Sequence, residues 1–125
     1  MKIVIKLSLI IALAVNFSGC KKNQTGGKAS VKGVVLHHSK PVADAYVYIK
    51  FNATEFPGDD YTLYDTNVKT DANGNYSFSL YKGSYYVYAK GYDLDIPAPY
   101  IVKGGLSFSV RNKENLTRDI AVGEE

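Results

Sequence analysis

A chain of 125 residues, 46% of them hydrophobic and none of them tryptophan, has room for one domain and a targeting segment but not for two domains. The formal charge of +3 drops to 13 basic against 12 acidic side chains once Lys2 and Lys6 are assigned to a segment that is removed, which leaves no basic footprint and excludes nucleic acid as a partner. Cys20 is the only cysteine, so an intramolecular disulfide is excluded as well.

Lys2 and Lys6 flank the start of an apolar run over residues 7–17 that closes in Phe17-Ser18-Gly19-Cys20. This order of basic, apolar and small residues before a cysteine resembles a bacterial lipoprotein signal. The resemblance implies cleavage between Gly19 and Cys20, acyl chains such as palmitate on the Cys20 sulfur and amine, and an exported protein held to the cell membrane by that lipid anchor. A transmembrane helix does not fit, because residues 7–19 would span only about 20 Å against a hydrocarbon core of roughly 30 Å. Two or more acyl chains meet the requirement for stable anchoring, each buried methylene contributing about 0.8 kcal/mol. Lys21 follows the cysteine where inner-membrane retention signals carry Asp, and by that analogy the outer membrane of a Gram-negative envelope is favoured.

Residues 21–30 (KKNQTGGKAS) are polar, contain a Gly-Gly pair and lack apolar periodicity, so residues 20–30 read as the lipidated cysteine and a flexible tether. A first strand is expected over residues 31–37, with Gly33 marking a bulge or a close backbone approach. Ser39-Lys40-Pro41 turns the chain. Residues 45–51 then alternate Val47, Ile49 and Phe51 with Tyr46, Tyr48 and Lys50, as a strand with one buried face does. Residues 52–60 contain Pro57-Gly58-Asp59-Asp60 and form a loop longer than usual between strands. Residues 61–64 and 67–70 are weaker strand candidates.

The most informative run is 70–89. Tyr76, Phe78 and Leu80 alternate with Asn75, Ser77 and Ser79, and a Gly-containing turn leads to Tyr85, Val87 and Ala89 with Tyr86 and Tyr88 opposite them, a pattern that predicts a β-hairpin. The sequence Thr70-Asp71-x-x-Gly74-x-Tyr76-x-Phe78, followed by Gly83-x-Tyr85-x-Val87-x-Ala89, resembles the carboxypeptidase regulatory-like domains of the transthyretin-like (prealbumin-like) β-sandwich group. Pro41-Val42-x-x-Ala45 matches that family's approach to the second strand. The resemblance covers residues 31 to about 93, and none of its matched positions is catalytic.

Residues 91–105, with Pro97 and Pro99, belong at a rim, and residues 106–110 and 116–122 supply the last strands. The fold predicted for residues 31–125 is therefore all-β: a single Greek-key β-sandwich of approximately seven strands, of prealbumin-like type, preceded by a signal peptide over 1–19.

Chemistry is sparse. His37 and His38 are the only histidines, and adjacent strand residues point to opposite faces, so convergence on one metal ion is not expected and no cofactor is called for. No Gly-x-Ser-x-Gly elbow is present to activate a serine nucleophile. Asp71-x-Asn73-x-Asn75 imitates the start of a calcium loop, but Tyr76 and Lys82 stand where that loop needs Gly and Glu, and turn formation explains Asp71 and Asn73 better. Eleven tyrosines remain as the one compositional excess. If the second strand and the hairpin share a sheet, Tyr46 and Tyr48 on one side and Tyr86 and Tyr88 on the other flank a floor of Ser77 and Ser79. Such a surface can stack on sugar rings or form the apolar centre of a protein interface, and tyrosines also pair across strands without any ligand. The functional expectation is a non-catalytic envelope lipoprotein that serves as a protein-interaction or structural accessory module, with polysaccharide binding on the tyrosine face as the alternative.

Overall fold

Alternation of apolar and polar side chains governs residues 21–124, the part of the chain that the computed structural model describes. The strands are β1 (Thr25–His37), β2 (Lys40–Pro41), β3 (Tyr46–Phe51), β4 (Thr66–Lys69), β5 (Asn75–Leu80), β6 (Gly83–Tyr92), β7 (Ile101–Val110), β8 (Asn115–Thr117) and β9 (Ile120–Ala121), with a single 3₁₀ turn at Tyr61–Leu63. They form two sheets. In the first, β1 is central: β5 runs antiparallel to it with Val31 opposite Phe78, β2 pairs with its end, and β8 and β9 run parallel to it. The second sheet has the antiparallel order β4-β3-β6-β7.

The core lies between the sheets. Val31, Val35, Leu80 and Ile120 come from the first and Val47, Ile49, Tyr85, Val87 and Val102 from the second, all fully buried. Burial of such side chains contributes roughly 1.5–3 kcal/mol each, which makes the alternation the main determinant of which face turns inward. The all-β, two-sheet sandwich predicted from the sequence is the fold of the described residues.

Several local expectations change. The first strand starts at Thr25, so residues 25–30 are not a tether: Ala29 is buried, and a bulge between Thr25 and Ala29 absorbs the Gly-Gly pair. Backbone pairing needs no apolar side chains, which is why polar composition misleads there. Tyr61–Leu63 make a 3₁₀ turn where a strand is expected over residues 61–64, with Asp60 accepting from the Thr62 amide at 2.9 Å. The last strand breaks at Arg118 and Asp119. There Asp119 Oδ1 accepts the Val34 amide at 2.9 Å, and the chain passes so close to β1 that a Cβ on Gly33 would stand 1.9 Å from the Arg118 carbonyl oxygen. Gly33 thus marks the close backbone approach anticipated for it.

The largest correction concerns the hairpin. β5 and β6 do not pair; β5 belongs to the first sheet and β6 to the second. A two-residue hairpin turn requires positive φ at its first or both central residues, and neither Tyr81 nor Lys82 has it. The link instead turns a corner between the sheets. Tyr81 N donates to the Gln24 carbonyl at 2.9 Å, Asn23 N to that of Lys82 at 2.9 Å, and the Tyr85 hydroxyl to that of Tyr81 at 2.6 Å.

Candidate functional site

On β3, Tyr46 and Tyr48 alternate with the buried Val47 and Ile49; on β6, Tyr86 and Tyr88 alternate with the buried Tyr85 and Val87. Both pairs therefore face outward from the second sheet. β3 and β6 are adjacent, with Tyr48 directly opposite Tyr88 and ring centroids 6.5 Å apart. The loop 52–65 folds back over this face. Asp60 caps its 3₁₀ turn, the Tyr64 hydroxyl donates to the Gly58 carbonyl at 2.8 Å, and Asp65 accepts the Phe51 amide at 2.7 Å.

So held, the loop delivers three more rings. Tyr64 stacks on Tyr88 at 5.8 Å, Phe56 lies 5.2 Å from Tyr88 and 5.9 Å from Tyr86, and Tyr61 stacks on Tyr48 at 6.5 Å. Seven aromatic rings form one cluster, graded from the inside out. Tyr88 is only 3% exposed, whereas Tyr46, Phe56 and Tyr61 are 45%, 50% and 67% exposed. Burial pushes the Tyr48, Tyr64 and Tyr86 hydroxyls above the usual tyrosine range, so they stay protonated at neutral pH.

Beside this cluster Gly104 and Gly105 on β7 lie opposite Ala89 and Tyr88. A Cβ on Gly105 would stand 2.4 Å from the Val87 carbonyl oxygen and 2.8 Å from Cε1 of Tyr86, so glycine is what lets that ring come so close to β7. The two glycines floor a concavity of about 330 Å³ walled by Phe56, Tyr86 and Tyr88. Its rim is polar: the Tyr88 hydroxyl donates to Asp59 Oδ1, and Lys103 Nζ donates to Asp59 Oδ2 at 2.9 Å. The Tyr88 hydroxyl first and the Lys103 ammonium second hold the Asp59 carboxyl below its usual range, so the groove presents a carboxylate and an ammonium beside aromatic rings. That combination can stack on an apolar ring face and hydrogen-bond its polar edge.

Of the side chains named from the sequence, Tyr46, Tyr48, Tyr86 and Tyr88 come together on this face. Ser77 and Ser79 do not, because β5 is in the other sheet. They are exposed, and Ser77 lines a larger concavity of about 610 Å³ with Lys32, Asn75, Thr117 and Asp119. Among the residues lining that space, Asp119 is already engaged with the Val34 amide and Asp71 with its own turn, and the face lacks the aromatic cluster. Phe56, Tyr61, Tyr64 and the Gly104-Gly105 floor were missed. Their signal was present as three aromatics within an unusually long inter-strand loop. Gly19 and Cys20 lie outside the described residues, and among the described residues no helix is long and apolar enough to cross a membrane.

A second cluster forms at the end of β1. His38 and Ser39 both have left-handed backbones, φ 50° and 66°, and make a tight turn between His37 and its partner Lys40. The expected divergence of adjacent side chains fails here, since strand alternation stops at His37, and the two imidazole centroids are 4.2 Å apart. His37 is buried, and its Nδ1 is 2.7 Å from Asp93 Oδ2. Asp93 also accepts from the Asp95 amide at 3.0 Å and Lys40 Nζ at 3.1 Å. The Asp95 amide, then His37, then Lys40 hold the Asp93 carboxyl far below the usual carboxylate range. An ionised Asp93 can only accept, so Nδ1 carries the proton. Nε2 of His37 is buried without a hydrogen-bond partner, 3.4 Å from Glu124 Oε1.

No protein-family model matches this chain, and no curated protein is found to be similar to it.

Proposed function

We propose that this chain is a non-catalytic binding module of the bacterial envelope, held to the membrane through a lipidated Cys20, with the aromatic face of the second sheet as its interaction surface. The carrying observation is that Tyr46, Phe56, Tyr61 and Leu63, each at least 43% exposed, lie on one sheet face and the loop that covers it. Exposed aromatic side chains rimmed by polar groups are the composition of protein-interface centres.

The fold is read as prealbumin-like, in the manner of carboxypeptidase regulatory-like domains. This is supported by what the matched residues do. Thr70 is buried with its hydroxyl accepting from Ala45 N and donating to the Val42 carbonyl, both at 2.8 Å, which ties the Pro41-Val42-x-x-Ala45 segment to the Thr70-Asp71 turn. Gly74 takes φ 76° to complete that turn. The two stretches that carry the resemblance thus support one another in space.

A second reading, polysaccharide binding, is favoured by the groove over Gly104 and Gly105, where an aromatic wall meets the Asp59–Lys103 pair. Both readings are tested with one pair of substitutions. Residues 21–125 and their Phe56→Ser, Tyr61→Ser double variant are run in gels containing a panel of polysaccharides. In parallel, a photo-crosslinking residue replaces Tyr61, or Ser79 as control, in the full chain in cells. Discrete cross-links at position 61 and none at 79 are expected. Retardation by a polysaccharide that the double variant loses moves the ligand to glycan. Neither cross-link nor retardation overturns the binding face. The anchor has its own test: Cys20→Ser is expected to leave unprocessed precursor or released protein, and a processed, membrane-bound Cys20→Ser chain removes lipidation from the reading.

A further inference from the structure

We propose that His37, His38 and Glu124 form a binding site for a divalent transition-metal ion of the zinc class, completed by solvent. One ring nitrogen each of His37 and His38 and a Glu124 carboxylate oxygen all lie within 4.8 Å of one another. Tetrahedral zinc with ligands at about 2.0–2.1 Å separates them by about 3.3 Å. The His37–Glu124 distance of 3.4 Å already matches, and His38 Nε2 stands 3.9 Å from the same Glu124 oxygen. His38 is the most exposed of the three, its side chain 82% accessible, and has room to rotate the remaining distance.

The second observation is the state of His37. His37 Nδ1 is taken up by Asp93, so Nε2, buried and without a hydrogen-bond partner, is the ring nitrogen left facing the Glu124 carboxylate. A buried imidazole nitrogen without a hydrogen-bond partner and a carboxylate oxygen 3.4 Å from it are spaced as two ligands of one cation are. Carboxylate to imidazole Nδ1, with Nε2 left for the metal, is also the outer-shell arrangement that fixes the tautomer of metal-bound histidines. Two imidazoles and one carboxylate suit zinc, copper or nickel and disfavour magnesium and calcium, which prefer oxygen. Three protein ligands leave a position for water, as in open zinc sites. The site would clip the segment after β9 to the end of β1. It stands independently of the aromatic face.

The test is calorimetric titration of tag-free, metal-free residues 21–125 with zinc chloride at neutral pH, beside His38→Ala and Glu124→Gln. Both changes are at exposed side chains, so the metal-free thermal midpoint should stay put. One zinc per chain is expected at micromolar or better affinity, weakened at least about tenfold in each variant, with excess magnesium failing to compete. Cobalt should give the intense visible bands of a low-coordinate site. No binding at millimolar zinc overturns the proposal, and so does binding that both variants retain in full. A proton serving as the cation instead of a metal would appear as the first of these outcomes.

Discussion

At the turn between β4 and β5, one carboxylate organises the backbone around it. Asp71 Oδ1 accepts the amides of Asn73 and Asn75, both at 2.9 Å, and Oδ2 accepts the Asn75 side-chain amide at 3.2 Å. The Asn75 bonds, followed by the Asn73 amide, lower the Asp71 pKa in the folded protein. A carboxyl depressed on folding adds stability that is complete above its unfolded pKa of about 4 and is lost as pH falls through the lower folded value. Urea midpoints of wild type and Asp71→Ala should therefore differ by a constant amount from pH 7 to about 5, begin to converge near about 4 and meet only as the pH passes the lower folded value. A gap that persists at the acid end would assign the effect to backbone conformation instead of charge. Asp71 was legible in the sequence because its bonds are local, reaching two and four residues along the chain. The His38 turn was not. Asn-Gly is the usual signature of two successive left-handed residues, and His38-Ser39 carries none of it, so the convergence of the two histidines emerges only from the folded backbone.

Period-two alternation identifies a strand and its buried face, but it is silent on which sheet the strand joins. That is why β5 was correctly bounded and wrongly paired. The choice is made at the corner, by contacts that reach across the sequence. Asn23 Oδ1 accepts the Ser84 amide at 3.0 Å, 61 residues away, while the Asn23 and Tyr81 amides reach the carbonyls of Lys82 and Gln24. Residues 23–25 thereby fasten the start of β1 to the β5–β6 link. Removing the Asn23 side chain leaves the Ser84 amide without that acceptor, and Asn23→Ala should cost about 1 kcal/mol. A soluble fragment starting at residue 31 should lose far more, because it also lacks the buried Ala29 and the β1 pairing with Leu80. Thermal melts of the two against residues 21–125 check both effects. Equal midpoints for the fragments starting at 21 and 31 would restore the tether reading of residues 25–30.

Across the whole molecule the sandwich has one core between its sheets and a second, aromatic one outside the second sheet, under the loop 52–65. Eight of the eleven tyrosines fall in one or the other, Tyr76 and Tyr85 inside and Tyr46, Tyr48, Tyr61, Tyr64, Tyr86 and Tyr88 outside. Tyr85 is in the central core, while Tyr88 faces outward from its strand and is buried nonetheless because the loop closes over it. Strand alternation revealed the outward direction of Tyr48 and Tyr88 but not the cover, which depends on where a 14-residue loop comes to rest. The cluster should therefore separate energetically by depth. Truncating Tyr88 removes a ring packed against Tyr48, Phe56 and Tyr64 and deprives Asp59 of its hydroxyl donor, so Tyr88→Ala should cost about 3–5 kcal/mol, as loss of a buried aromatic does. Tyr61→Ala removes a ring that is 67% exposed and should stay within about 0.5 kcal/mol of wild type. Denaturant titration of the two variants separates an outer core from a free surface. Near-neutrality at both positions would mean that the loop is not closed over the sheet in solution, and a large loss at both would mean that the Tyr61 ring is part of the outer core and not free to meet a partner.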